Sequence, residues 1–568
     1  MNFTKKLILL TSVFCLVALG GIFVFHQNKL VISISGIAVP HHDLVAAKRA
    51  QFFSEFASRI KQPKTIILIS PNHYSAGQGD IQTTDQDWDL DKGKIISNKD
   101  AISFLVEKKL VTNEPASFTD EHGIYNILGD IHNNFPNATL IPLIFKEVSE
   151  EELNKLEQSL LQSCKDCLMI ASVDFSHYQP AVLADLHDDY SIRDLQLLDT
   201  KDILANAEVD SGPALALLTM WAKDHNTIQF TLKSHTNSGI IFQNPDAETT
   251  THVFGWYERG NIVEPEKSVS FLFGGDMMFD RGIYHTFNDN FNQAFSKFGE
   301  RVFWGTAASV INLEGAITTK KIEDNIQPDN LDFEFSPKII KTLSFLHINT
   351  ASLANNHSDN AGSEGITITR SLLGAAGIQP FGGATQSSVF RIAHITGNGI
   401  SLAVIGMNLT YPNQDANILI PIIAELKKDP TVRVMIMPHW GEEYEKKHTL
   451  AQENTAHTWI DAGADMIIGS HPHVIEDAEL YKGAPIIYSL GNLLFDQTFS
   501  RATQEGLLIG GKFTTDDLTF FGLPVQSIKY QPQFIRGERK KEILNSLYIP
   551  FKNYVVDSPA GEVVKINK

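Results

Sequence analysis

Six stretches of the C-terminal half place metal-type side chains directly after apolar runs. They are Gly274-Gly275-Asp276, Asn312-Leu313-Glu314, Asn355-Asn356-His357, His439 to Tyr444, His471-Pro472-His473 and Gly491-Asn492. A single Asp or Asn after a strand is ordinary turn chemistry. Six in succession point to one shared site, because open α/β sheets bind ligands at the carboxyl ends of their strands. Asp, Glu, Asn and His, with no Cys among them, make a mixed oxygen and nitrogen site for a hard or borderline divalent metal. His471 and His473 would share one face of a regular strand. Pro472 argues for an irregular loop instead, and in either case both imidazoles converge. About six ligands exceed the needs of one tetrahedral ion and suit two bridged ions, which clamp attacking and leaving oxygens and generate hydroxide near neutral pH.

The N-terminal half repeats the pattern with other partners. Apolar runs lead into Pro40-His41-His42-Asp43, Ser70-Pro71-Asn72-His73-Tyr74 and Asp174-Phe175-Ser176-His177-Tyr178, and Glu121-His122-Gly123 opens a helix. Three strand-end histidines and an Asp suit a mononuclear metal or a general acid–base pair.

Positioning these residues takes strands alternating with amphipathic helices, which is an α/β pattern. A polar break from Arg259 to Lys267 separates two such series, giving domains over 28–262 and 268–568. The 568 residues are 43% hydrophobic and 20% charged, so either half can bury a full core. The net charge of −19 repels phosphate backbones and excludes nucleic acid as a partner. Three Cys are too few for a disulfide scaffold. Cys164 and Cys167 form a C-x-x-C, read as a short local disulfide, with a redox motif or half a zinc site as the alternatives. Lys5 and Lys6 precede an uncharged apolar run over 7–25, long enough to cross roughly 30 Å of hydrocarbon. That run predicts an uncleaved membrane anchor within residues 1–27, favoured over a cleaved signal peptide. The protein would then be a single-pass cell-membrane protein with both globular domains outside the cytoplasm.

The blocks Gly-Asp, Asn-Leu-Glu, Ala-Asn-Asn-His, His-Trp-Gly-x-Glu-Tyr, Gly-x-His-Pro-His and Tyr-Ser-Leu-Gly-Asn, in that order over about 268–520, resemble the CapA capsule-synthesis family. The resemblance implies a four-layer α/β/β/α metallophosphatase-like fold and a role in poly-γ-glutamate capsule or envelope polymer synthesis. It implies two divalent ions (Mn, Fe, Zn or Mg) on Asp276, Glu314, Asn356, His439, His471 and His473. His357 would be the proton donor or oxyanion stabiliser. Glu443 would act beside it, with Tyr444 and Asn492 on the substrate side. Expected partners are an anionic envelope polymer or the capsule synthesis machinery. Two departures from the wider metallophosphatase pattern stand out: no Asp-x-His in the first motif, and Glu314 where a bridging Asp is usual.

The N-terminal blocks, over about 30–258, resemble the Memo-like family, called AmmeMemoRadiSam system protein B in bacteria and related in fold to class III extradiol dioxygenases. That implies a three-layer domain in which His41 and His73 are metal ligands and His177 is the acid–base histidine. The Cys that many members use as third ligand is missing, and Asp210 stands in that region. The site would then hold one Fe, or Cu or Zn, with two His and one carboxylate favouring Fe(II). His42 is a competitor for the role of His41. The leading reading is a metal-dependent hydrolase. A non-catalytic assembly or export factor, and a redox or oxygenase activity in the N-terminal domain, are the alternatives.

Overall fold

Four segments of the N-terminal half, Ile34–Val39, Leu168–Ser172, Thr65–Pro71 and Thr139–Phe145, are apolar on both faces. Such strands need cover on both sides, and they pair in parallel in that spatial order as the centre of a nine-stranded sheet. This geometry comes from a computed structural model that describes residues 33–164, 166–299, 301–319, 331–385 and 391–567. Helices Ala46–Ala57 and His122–Asn134 bury Phe53, Phe56, Ile124 and Ile127 on one face of the sheet. Helices Lys99–Glu107, Glu150–Ser163 and Gly212–Asp224 bury Leu105, Leu156 and Leu218 on the other. The result is three layers, with His41, His73 and Asp174 all leaving the same edge. Cys164 and Cys167 are paired as a disulfide just before Leu168–Ser172.

The C-terminal half is built on two sheets. The central strands of the first are Ala308–Leu313, Ser268–Met277 and Glu505–Thr514; those of the second are Ser401–Asn408, Val432–His439 and Met466–Ile468. Side chains alternate along each strand. Phe271, Phe273 and Val310 therefore meet Val404, Met435 and Ile468 between the sheets. Leu272 and Ile311 face outward against Leu343 and Leu373, from helices Ile339–Phe345 and Gly362–Ala375. Val434 and Ile436 face outward against Ile423, Ala456 and Trp459, from helices Leu419–Leu426 and Leu450–Asp461. Four layers follow, α/β/β/α.

The two domains share packing. Val182, Leu183 and Leu186 of helix Ala181–Leu197 join the outer core of the C-terminal domain. The same helix presents Asp188, fully buried, to His235 Nε2 at 2.6 Å. A single-pass membrane placement is corrected by the structure. Among the described residues no helix is long and apolar enough to cross a membrane, and the expected anchor over 7–25 lies outside the described residues.

Two close approaches fix glycine next to site residues. A Cβ on Gly275 would lie 1.9 Å from the Gly491 carbonyl oxygen, and one on Gly469 would lie 1.9 Å from that of Tyr488. Gly275→Ala is expected to destabilise the C-terminal domain by roughly 1–3 kcal/mol. Gly374→Ala, where a Cβ meets nothing within 4 Å, should stabilise it by about 0.5–1 kcal/mol. Denaturant unfolding distinguishes the two. Burial opposes protonation of His235, but Asp188 and Asp185 outweigh it and raise the imidazole to about 9. Its contribution is therefore complete below about pH 6.5 and is lost as pH rises through about 9. The stability difference between wild type and His235→Gln should shrink by up to roughly 3 kcal/mol from pH 6 to pH 10, read from denaturation midpoints.

Candidate metal centres

Parallel register sets Asp276 beside Asn312 on one side and Asn492 on the other. The Asn312 amide donates to Asp276 Oδ1 at 2.8 Å and to Glu314 Oε2 at 3.2 Å, and lies 3.4 Å from His439 Nδ1. Asn355 holds Asn312 in turn by donating to its Oδ1 at 2.9 Å. From the second sheet, His439 places Nδ1 3.0 Å from Ser470 Oγ and Nε2 2.8 Å from Asn356 Oδ1. His473 lies 3.4 Å from Asp276 Oδ2 and 3.5 Å from Glu314 Oε1, and the His471 amide donates to Asp276 at 3.3 Å. Two sets of ligand atoms fall within 4.8 Å of one another: Asp276, Glu314 and His439, and Glu443, His471 and His473. Ligand-type groups from the ends of both sheets thus meet in one place.

Metal ions fit this cluster because the protein alone leaves it unbalanced. Glu314 Oε1 and His471 Nδ1 are buried without a hydrogen-bond partner. Burial raises the Glu314 carboxyl well above its usual range, against the pull of His473, with Asp276 adding to the rise. Burial and the neighbouring imidazoles lower His439 strongly and bring His471 down to about 4, so both present neutral nitrogens. His471, His473 and Tyr444 adopt left-handed backbone angles, φ 101°, 57° and 69°. Non-glycine residues are held there only where the surrounding structure over-determines them.

The other expected residues divide. His357 Nδ1 is 2.9 Å from Asn360 Oδ1, an amide oxygen that also accepts from the Phe333 N–H, so Nδ1 carries the proton. Nε2 then accepts from the Asn356 amide at 3.0 Å and lies 3.9 Å from Glu314. Burial lowers its pKa. Tyr444 is 43% exposed beside His473, with its hydroxyl accepting from Gln497 at 3.2 Å. Asn492, expected on the substrate side, is buried behind His473 at 2.9 Å and donates to the Thr503 carbonyl. The strand pairing that aligns it with Asp276 turns it inward. Asn312 precedes Glu314 by two residues at the end of strand Ala308–Leu313, a spacing that puts both on one face.

In the N-terminal domain, His41 Nε2 lies 3.3 Å from both Asp174 and Asp210, and His73 Nε2 lies 3.7 Å from Asp210. Glu121 caps helix His122–Asn134 and holds His73 Nδ1 at 2.5 Å, a carboxylate–histidine pair of the kind that orients metal ligands. His122 stacks on His73 with ring centres 3.9 Å apart. His41, His73 and His122 form one candidate ligand group, and His41, Asp174 and Asp210 form another. Asp174 Oδ1 and Asp210 Oδ1 are buried without hydrogen-bond partners, as Glu314 Oε1 is in the other cluster. Burial lowers His41, and burial with the Asp210 charge raises Asp174. Burial also opposes ionisation of Asp210, but His41 and His73 hold it low. His42 instead accepts from the Leu44 N–H at 3.1 Å, capping the turn Asp43–Val45. His177 opens onto the same cleft as His73 and Asp210.

Comparison with known proteins gives the two halves different relatives. Residues 270–497 match the family described as bacterial capsule synthesis protein PGA_cap, and residues 25–241 match Memo-like protein. The PGA biosynthesis protein CapA of Bacillus subtilis is 26% identical over 295 residues, covering 49% of this chain and 77% of that protein. The capsule biosynthesis protein CapA of Bacillus anthracis is 32% identical over 192 residues, covering 31% and 46%. A MEMO1 family protein of Thermoplasma volcanium is 25% identical over 238 residues, covering 41% and 88%. The C-terminal half is thus CapA-like and the N-terminal half Memo-like. Asn312→Leu should leave the chain folded and weaken divalent metal retention about 10- to 100-fold, measured by competition with a chromophoric chelator.

Proposed function

We propose that the C-terminal domain is a dinuclear metal-dependent hydrolase acting on an anionic polymer of the capsule or envelope, with poly-γ-glutamate the first candidate. One observation carries this reading: two buried carboxylates and three histidines from both sheets converge with Glu314 Oε1 and His471 Nδ1 unpartnered. The capsule-synthesis family match and the printed roles of the CapA relatives support the substrate class. Asp276, Glu314, Asn356, His439, His471 and His473 would hold the ions, with Glu443 in reach of the His471 and His473 side.

Divalent ions supply Lewis acidity and a lowered pKa for bound water. The chain's own residues do the rest. Asn312 holds Asp276 and Glu314 in one orientation, and Asn492 and Ser470 fix the rings of His473 and His439. His357, with Nδ1 protonated against Asn360 and Nε2 accepting from the Asn356 amide, would exchange that amide bond for a proton from an attacking group and return it to the leaving group. Tyr444, partly exposed beside His473, borders the space where substrate would lie. The N-terminal centre is a single-metal site on His41, His73 and Asp210, a reading favoured by the two unpartnered Asp oxygens.

Elemental analysis of the full chain loaded with Mn²⁺ should find two ions that the His471→Ala/His473→Ala variant loses. Turnover of poly-γ-glutamate, peptidoglycan peptides and phosphoesters should fall at least roughly a hundredfold in Asp276→Asn. It should fall about 10²- to 10⁴-fold in His357→Ala with metal content unchanged. Equal rates in wild type and Asp276→Asn would reduce the domain to a non-catalytic assembly factor.

A further inference from the structure

The N-terminal centre does not open directly to solvent on all sides. It opens into a cleft of about 1100 Å³ whose far wall belongs to the C-terminal domain. His73, His177 and Asp210 lie on the near side. The far wall carries Lys297, Arg301 and Arg536 together with Phe298, Trp304 and Phe534. The near side also carries the acids Glu147 and Glu248 beside Asp210. Phe298 and Phe534 face each other with ring centres 5.0 Å apart and an interplanar angle of 34°.

Arg301 also ties the far wall to the centre. Its guanidinium donates to the Val209 carbonyl and lies 3.6 Å from the fully buried Glu208. Glu208 in turn accepts from the His177 N–H at 3.1 Å. One cation of the C-terminal domain thus holds the segment that leads into Asp210 and the backbone that carries His177. The other two cations are available to a ligand. Lys297 is exposed, and Arg536 is paired with Glu248 at 3.2 Å with both side chains about half exposed. Exposed pairs of this kind are worth about 0–1 kcal/mol and exchange readily.

We propose that this interdomain cleft is a binding site for a small organic anion with a flat apolar body. The acid group is met by Lys297 and Arg536, and the body lies on Phe534, which is backed by the buried Phe298, and extends toward His73 and Asp210. A cavity of this size accommodates such a molecule. The N-terminal site is then complete only when both domains are present. This proposal does not depend on hydrolysis in the C-terminal domain.

Titration calorimetry of the full chain with 1-naphthoate, and with the neutral 1-naphthalenemethanol as control, tests it. One naphthoate per chain should bind at least tenfold more tightly than the alcohol. The preference should disappear in Lys297→Gln/Arg536→Gln and persist in the charge-conserving Lys297→Arg/Arg536→Lys, and Phe534→Ala should weaken both probes. Thermal unfolding verifies that each variant is folded. Equal affinity for the acid and the alcohol, unaltered naphthoate binding in the Gln double variant, or no naphthoate binding at millimolar concentration would each overturn the proposal.

Discussion

Two carboxylates, Asp276 and Glu314, are fully buried within reach of one amide, and the C-terminal site is organised around that fact. Removing a carboxylate from water is costly, and two side by side are worse because their charges repel. Asn312 answers part of this by donating to both. Its own carbonyl oxygen is satisfied by Asn355, whose amide also reaches the Leu313 carbonyl. His473 answers another part: burial alone would lower it, but Glu314 and Asp276 hold it up at about 9. What these groups leave over is one Glu314 oxygen with no hydrogen-bond partner and two imidazoles kept neutral chiefly by burial. Two buried carboxyls beside an unpartnered imidazole nitrogen are a donor set that divalent cations complement.

The same constraint explains the local backbone. A side chain can join the cluster only if its strand delivers it to the carboxyl edge, so the glycines beside Asp276 and His471 allow the chain to pass against other carbonyls. Left-handed angles at His471 and His473 then turn both rings inward across Pro472. Regular strand geometry would have placed them on one face, and the loop reaches convergence by a different route. That arrangement is tolerated because the surroundings fix it: the His471 N–H is engaged by Asp276, and the Pro472 carbonyl accepts from Tyr444.

Ligand-type residues were legible in the sequence because each closes an apolar run, and strand ends are where α/β folds gather chemistry. The supporting layer was much less so. Asn312 sits inside a quoted motif, yet only the parallel register with Asp276 shows that it bridges two carboxylates. Asn492 looked like a substrate contact and is instead a buried prop for His473, a distinction that depends on which way its strand faces. In the N-terminal domain, His41 and His73 stand out by motif, whereas Glu121 becomes meaningful only when its helix start lies against His73. Asp174 and Asp210 are separated by 36 residues and meet because the second follows a loop pinned by Glu208. Contacts made across long sequence separation leave no periodic signal, so pattern finds the ligands and packing supplies their orientation.

Net charge and interdomain geometry then bear on each other. A chain at −19 repels acidic polymers and acidic metabolites alike, so any anion it handles needs local positive charge. The C-terminal site has its imidazoles and the nearby Arg281, to which bound divalent ions would add. The N-terminal centre borrows Lys297, Arg301 and Arg536 from the neighbouring domain across the cleft. Helix Ala181–Leu197 makes the loan possible: its N-terminal turns are core to the C-terminal domain, while Asp188 further along supports Ser176 and Thr251 around the His177 loop. A shift of one domain against the other would therefore move both the cationic wall and the loop bearing His177. Under the proposed anion site, fusion of the two domains is part of how the N-terminal site is built, and not merely a linkage of two independent proteins.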